Sequence, residues 1–315
     1  MAAEAEVTQT GMNALCATTD PGKLDAVRER FRSLVRAYSR SEFALIGPIT
    51  EDNRAERLLF WPDTRGIGRK QVERIIRTRD ESATSVATLA TKSVATQGLG
   101  ALEYVLFGTG ADDMTQPDHA THRCAYGLAI TKLIAKVTSE IDADWQNQSG
   151  SVARLLHPAE SNLDYRIWLD SGQAVINILA HGLEAVHDTR ILPLVGTGAN
   201  DINPRLALWW RSGMTLEALS ANLEGLSQLV AVAGFEQGLP EDQRWLAGSI
   251  MLEFDNAGRI LDQMDGQLED ILADSSGRER LRYLQTSIRA LQREASSDLA
   301  RALGVSVGLS ALDGD

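Results

Sequence analysis

Apolar residues along this chain recur every three or four positions, the spacing of helical faces rather than the alternation of strands. Leu281, Leu284, Ile288, Leu291, Ala295 and Leu299 line one such face, and Gly304 follows Leu303 where the helix would end. Ala257, Leu261, Met264, Leu268 and Ile271 repeat the pattern just upstream, after Pro240 and Glu241 mark a helix start. These two helices are expected to pack antiparallel across a turn at Asp274-Ser275-Ser276-Gly277. Further helices are predicted over 23–40, 69–79, 82–107, 119–146, 161–190 and 215–236. All eight prolines fall outside these spans or at their edges, as helix interiors require. Alternating runs bounded by Asn-Gly or Asp-Gly turns are missing, so the expected class is all-α. At 315 residues there is enough chain for two domains. The polar stretch Gln146-Asn147-Gln148-Ser149-Gly150-Ser151 is the best boundary candidate. It divides an N-terminal helical bundle, 1–148, from a C-terminal one, 149–315, and the expected architecture is two packed helical-bundle domains.

One segment breaks the amphipathic pattern. Gln97-Gly98-Leu99-Gly100-Ala101-Leu102-Glu103-Tyr104-Val105-Leu106-Phe107-Gly108 places a single carboxylate among small and apolar residues. On a helix, Leu99, Leu102, Glu103, Leu106 and Phe107 share the core-facing side. An ionised carboxylate there costs several kcal/mol unless a cation, a metal or a set of donors meets it. Glu103 therefore implies a counterpart: either an arginine that only holds the fold, or a ligand. Arg65 and Arg69, which follow Trp61-Pro62-Asp63 on a backbone loosened by Gly66 and Gly68, are candidates to meet it. Gln97 and Tyr104 flank Glu103 and could share its lone pairs or read a polar ligand. Gly100 removes a side chain where a backbone or ligand could approach closely.

Charge and composition narrow the function. With 31 basic against 43 acidic residues, a formal charge of -12, the chain has no basic stripe to neutralise a phosphate backbone, which argues against nucleic acid. No segment approaches the roughly 20 uninterrupted apolar residues of a membrane span. The start, Met1-Ala2-Ala3-Glu4-Ala5-Glu6, lacks the basic and apolar parts of a signal peptide. Cys16 and Cys124, the two cysteines, either pair across a loop of 108 residues or are unrelated buried thiols; Cys16 is expected to precede the first clear helix. Among the five histidines, His181, Glu184, His187 and Asp188 have helical spacing, but only three of the four share a face, and a solvated polar face explains them more cheaply than a metal. His119 and His122 follow Asp112, Asp113 and Asp118, an acidic cluster that also suits a helix N-terminus. Nucleophile-elbow, Walker and dinucleotide signatures are absent.

Four blocks in order, Trp61-Pro62-Asp63, the Gly98 to Gly108 segment, Trp210-Arg211-Ser212-Gly213 and the closing Gly308-Leu309-Ser310-Ala311-Leu312-Asp313-Gly314-Asp315, resemble the imelysin-like proteins, specifically their periplasmic lipoprotein branch. The resemblance implies an all-α protein of two helical bundles, exported to the bacterial periplasm or outer envelope with its leader absent from this chain, and linked to iron acquisition. Family members have also been classed as metallopeptidases. The family's Gly-x-His-x-x-Glu motif is altered here: Gly98 and Glu103 keep their places, but Gly100 stands at the histidine position. A hydrolytic metal wants about three protein ligands and an open site for water, and Glu103 supplies one. The expected role is therefore non-catalytic, with Glu103 a metal ligand at most. It would bind iron or another divalent metal, an iron complex, or an envelope iron-uptake protein in a cleft around Glu103. A metal-dependent peptidase and a structural or adaptor protein are the alternatives. Asp313 and Asp315 form a terminal anionic cluster that would bind a cation or salt-bridge an arginine, Arg211 being in the neighbouring shared block.

Overall fold

Among the residues that this computed structural model describes, all but 19, 117–119, 197–202, 265 and 309–315, the regular structure is helical and no strand occurs. The longer helices are α1 (Ala2–Thr18), α2 (Pro21–Ser39), α3 (Ile67–Thr78), α4 (Gly98–Phe107), α5 (Ala120–Gln146), α6 (Trp168–Ala185), α7 (Thr215–Val232), α8 (Trp245–Asp262) and α9 (Ser275–Arg293). Short helical turns join them. The chain divides into two compact units, Met1–Tyr38 with Gly47–Asn147, and Ser39–Ile46 with Gln148–Asp315.

In the first unit α5 packs on α1 and α4. Helix α1 went unpredicted because its buried face, Ala5, Thr8, Gly11, Met12 and Leu15, is made largely of small residues with little amphipathic contrast. Small residues let the helices approach closely: a β-carbon on Gly127 of α5 would come within 2.5 Å of Met12 Cε. Cys16 therefore lies inside a helix rather than ahead of the first one, and it is bonded to Cys124 of α5. The helix predicted over 82–107 is instead a series of short turns, at Glu81–Ala83, Val86–Leu89 and Val94–Thr96, before α4 begins. Asp80, Ser85 and Ser93 each accept a backbone N–H of the turn that follows, and these local caps win over a continuous helix.

The second unit buries the faces read from the sequence. Leu281, Leu284, Ile288, Leu291, Ala295 and Leu299 are all essentially inaccessible, and Gly304 ends the helical run at φ 71°. Ser275, Ser276 and Gly277 form the first turn of α9 instead of a connecting turn, because the Asp274 carboxylate accepts the Gly277 N–H at 2.9 Å and caps them. The helix predicted over 161–190 starts late, at Trp168, and continues through a wider π turn, Val186–Ile191, into Leu192–Val195. Pro193 lies in that last piece. It cannot donate to the ladder, and the π turn just before it re-registers the backbone where a regular helix would clash.

Residues 39–46, from the last residue of α2 onward, belong to this second unit. Asn222 of α7 donates to the Ser39 carbonyl at 2.7 Å and to Glu42 Oε1 at 2.6 Å, while Arg190 meets Glu42 Oε2 at 3.0 Å. Arg40 grips Glu224 through both Nε and Nη2. Gly225 makes this possible, since a β-carbon there would stand 1.9 Å from the Arg40 carbonyl oxygen.

Candidate functional site

The buried carboxylate sits on α4, and both ends of that helix are fixed by close contacts. At its start Gly98 has φ 70°, and a β-carbon would come within 2.4 Å of the Arg57 carbonyl oxygen and 2.5 Å of that of Leu58. Only glycine meets both demands at no cost. At its end the carbonyls left over by the helix are collected by arginines from other helices. Arg123 of α5 donates to the carbonyls of Tyr104 at 2.8 Å, Val105 at 3.0 Å and Thr109 at 2.7 Å. Arg28 of α2 donates to that of Leu106 at 2.9 Å and pairs with Asp112. Arg28 and Arg32 also lie over the Phe107 ring, which packs on Phe31. Burial pulls the Arg123 guanidinium below its ordinary value, an effect opposed by its charge interactions with Tyr104, Asp113 and Asp112.

The loop that leads into α4 is pinned as well. Asp80 holds Lys92 at 3.0 Å, the Lys92 carbonyl accepts the buried Gln97 amide at 2.9 Å, and the Tyr126 hydroxyl donates to Thr96 at 2.7 Å. Asp80 is held at about 2, chiefly by the Ser82 hydroxyl and then by Lys92. Burial raises the Tyr126 phenol, so it stays a donor.

Within this frame Glu103 is 5% exposed. Gly100, one turn earlier, is exposed, and a β-carbon there would meet only Leu59 Cδ1, at 3.9 Å. Tyr104 donates through its hydroxyl to Glu73 Oε1 at 3.1 Å, and Arg69 of α3 approaches the same oxygen at 2.8 Å. Arg69 thus pairs with Glu73, the neighbour it was not expected to have. Asp63 turns to its own helix: its carboxylate accepts the N–H groups of Ile67 at 2.6 Å and Gly68 at 2.9 Å and so caps α3. Arg65 is exposed. Of the expected site residues, then, Arg69 and Tyr104 converge on Glu73, Gln97 and Gly98 seat the start of α4, and Asp63 orients α3.

Other candidates lie apart or outside the described residues. Arg211, in the second unit, stacks on the Trp210 ring at 4.6 Å. His181 pairs with Glu184 at 3.5 Å and His187 with Asp188 at 2.5 Å, two separate pairs, because the π turn rotates His187 away and buries it. Asp118, His119, Asp313 and Asp315 lie outside the described residues. Among the described residues no group of three histidine, cysteine or acidic side chains is placed to hold a metal ion.

Sequence reasoning missed Arg123, Glu73 and Lys92. Arg123 carried a usable signal: with Tyr126, Ile130, Leu133 and Val137 it falls on the buried face of α5, where a charged residue needs a reason.

The imelysin family model, designated peptidase M75, matches residues 1–295. The fold is similar to that of an imelysin-like protein from Psychrobacter arcticum 273-4, with TM-score 0.78, 19% identity, and 98% of this chain and 91% of that one covered. It is also similar to a Parabacteroides distasonis ATCC 8503 protein named as an iron-regulated protein A precursor, with TM-score 0.70, 15% identity, and 93% and 89% covered. None of the curated proteins matches the chain in sequence.

Proposed function

Because the chain belongs to the imelysin family, we propose that it is an exported, non-catalytic member that binds an iron complex, or a protein that carries one, in a cleft around Glu103. The observation that carries this reading is the pairing of a buried Glu103 with an exposed, side-chain-free Gly100 one turn away. A ligand that brings its own donors needs such an opening; a protein-held metal needs more side chains than the position supplies. The family motif's imidazole is the group that Gly100 lacks. The iron link is supported by the name of the Parabacteroides protein, an iron-regulated protein A precursor. Export is supported by the Cys16–Cys124 disulfide, a bond that persists in oxidising compartments.

Equilibrium dialysis of the full chain against ferric citrate, ferrous ion and zinc tests the proposal. Retention of ferric citrate, weakened at least tenfold in Glu103→Gln but not by loss of folding as judged by circular dichroism, is the expected result. Equal binding by both forms removes Glu103 from the site. Chelator-sensitive cleavage of a broad peptide library would establish a peptidase instead, and a lowered melting temperature in Glu103→Gln with no bound ligand in either form would make the carboxylate structural.

A further inference from the structure

Five of the thirteen large apolar side chains exposed among the described residues fall within residues 156–169: Leu156, Leu163, Ile167, Trp168 and Leu169. Leu163 is 89% and Trp168 70% exposed, so these groups project from the surface instead of lining a groove. Such a concentration in one short stretch marks an interaction surface, where scattered apolar residues would not.

The stretch is not loose. Asn162 accepts the N–H groups of Asp164 and Tyr165 and donates to the Arg154 carbonyl; Ala159 donates to the Tyr165 carbonyl; and the Asp170 carboxylate accepts those of Arg166 and Ile167. Arg154 pairs with Asp164 at 2.8 Å, and Ser171 ties the start of α6 back to the Leu155 carbonyl. These bonds hold the segment in one shape before it meets a surface, so little ordering is lost on docking. Charge agrees: residues 156–169 carry Glu160, Asp164 and Arg166, one net negative charge and no basic cluster, in a chain of net charge -12. An anionic surface would repel the chain as a whole, whereas a zwitterionic one accepts the strap without charge attraction. Trp and Tyr165 at its rim are the residue types that settle at headgroup depth.

We propose that residues 156–169 form a preorganised lipid-docking strap that inserts Leu163, Ile167 and Trp168 into the interface of a zwitterionic membrane. The strap lies in the second unit, and its function does not depend on the Glu103 reading.

Flotation of the full chain with phosphatidylcholine vesicles, alongside tryptophan emission, tests it. The chain is expected to float with the vesicles and its emission to shift to shorter wavelength. Leu163→Ser and Trp168→Ser should each lower partitioning at least fivefold with unchanged circular dichroism, and Trp245→Ser, which removes an equally exposed tryptophan on α8, should leave it unchanged. Absence of flotation, equal flotation by the strap variants, or binding only when phosphatidylglycerol is added overturns the proposal. A dimer in sedimentation velocity that Leu163→Ser abolishes, without vesicle binding, would assign the strap to a second copy of the chain instead.

Discussion

Tyr104 and Glu73 join two helices through one hydrogen bond of 3.1 Å, and the Glu73 oxygen that receives it is also held by Arg69 at 2.8 Å. The bond follows directly on Glu103 in sequence, so it sets the rotation of α4 about its axis as well as its distance from α3. Gln97 fixes the helix start through Lys92, and Arg123 fixes its end. The buried carboxylate is thereby held by contacts at three places on a ten-residue helix that could not be stable alone.

Arg123 is expected to be the most sensitive of these supports. Arg123→Met keeps much of the buried volume but removes the guanidinium donor from the carbonyls of Tyr104, Val105 and Thr109, of which Tyr104 keeps the Gly108 N–H. A loss of about 2–4 kcal/mol should appear as a lower urea midpoint with unchanged slope. Arg123→Lys, with three donors on one nitrogen and no planar fork, should recover only part of it. A midpoint within error of wild type would show that the cap does not stabilise the fold.

Two glycines two residues apart should respond in opposite directions. Gly98→Ala imposes a β-carbon 2.4 Å from the Arg57 carbonyl oxygen on a residue at φ 70°, and about 3 kcal/mol or more of stability should be lost. Gly100→Ala meets only Leu59 Cδ1, at ordinary contact distance, and gains helix propensity of about 0.5–1 kcal/mol. Thermal melts of the two variants against wild type decide it; similar shifts would contradict the geometry.

The all-α class and the buried faces of the last helices were legible because long apolar side chains repeat at helical spacing, as Leu281 through Leu299 do. Burial of Glu103 was legible for the same reason: its neighbours in the segment are small or apolar. What the periodicity could not carry were contacts between residues far apart in sequence. Arg69 was a sound candidate for a carboxylate, but Glu73 lies four residues along the same helix and meets it first. Helix α1 escaped because its packing relies on alanine, glycine and threonine, and residues 39–46 because their place is decided by Asn222 and Gly225, far along the chain.

The Cys16–Cys124 bond joins α1 to α5 across 108 residues of sequence. On the chain-entropy model, closing a loop of that length stabilises by roughly 4–5 kcal/mol. Cys16→Ser with Cys124→Ser should therefore lower the urea midpoint substantially, and dithiothreitol should lower that of wild type to a similar value while leaving the double variant unchanged. Wild type that melts identically with and without reductant would remove the bond as a source of stability.

Asp80 provides a test by pH. Its carboxyl falls from 3.8 to about 2 in the folded chain, first through the Ser82 hydroxyl and then through Lys92. A folded value below the unfolded one means that the native state binds the proton less readily. The contribution is therefore complete above about pH 4 and is lost as pH falls through the window from about 4 to 2. Asp80 and Lys92 are partly solvated, and screening reduces what their pairing contributes. Asp80→Asn should lower stability by a constant amount above pH 5 and flatten the acid limb between pH 4 and 2, because the proton uptake it removes is the one that destabilises wild type there. Urea midpoints measured at half-unit intervals from pH 6 to 2 compare the two forms, and parallel curves across the acid limb would show that the Asp80 carboxyl titrates alike in the folded and unfolded chains.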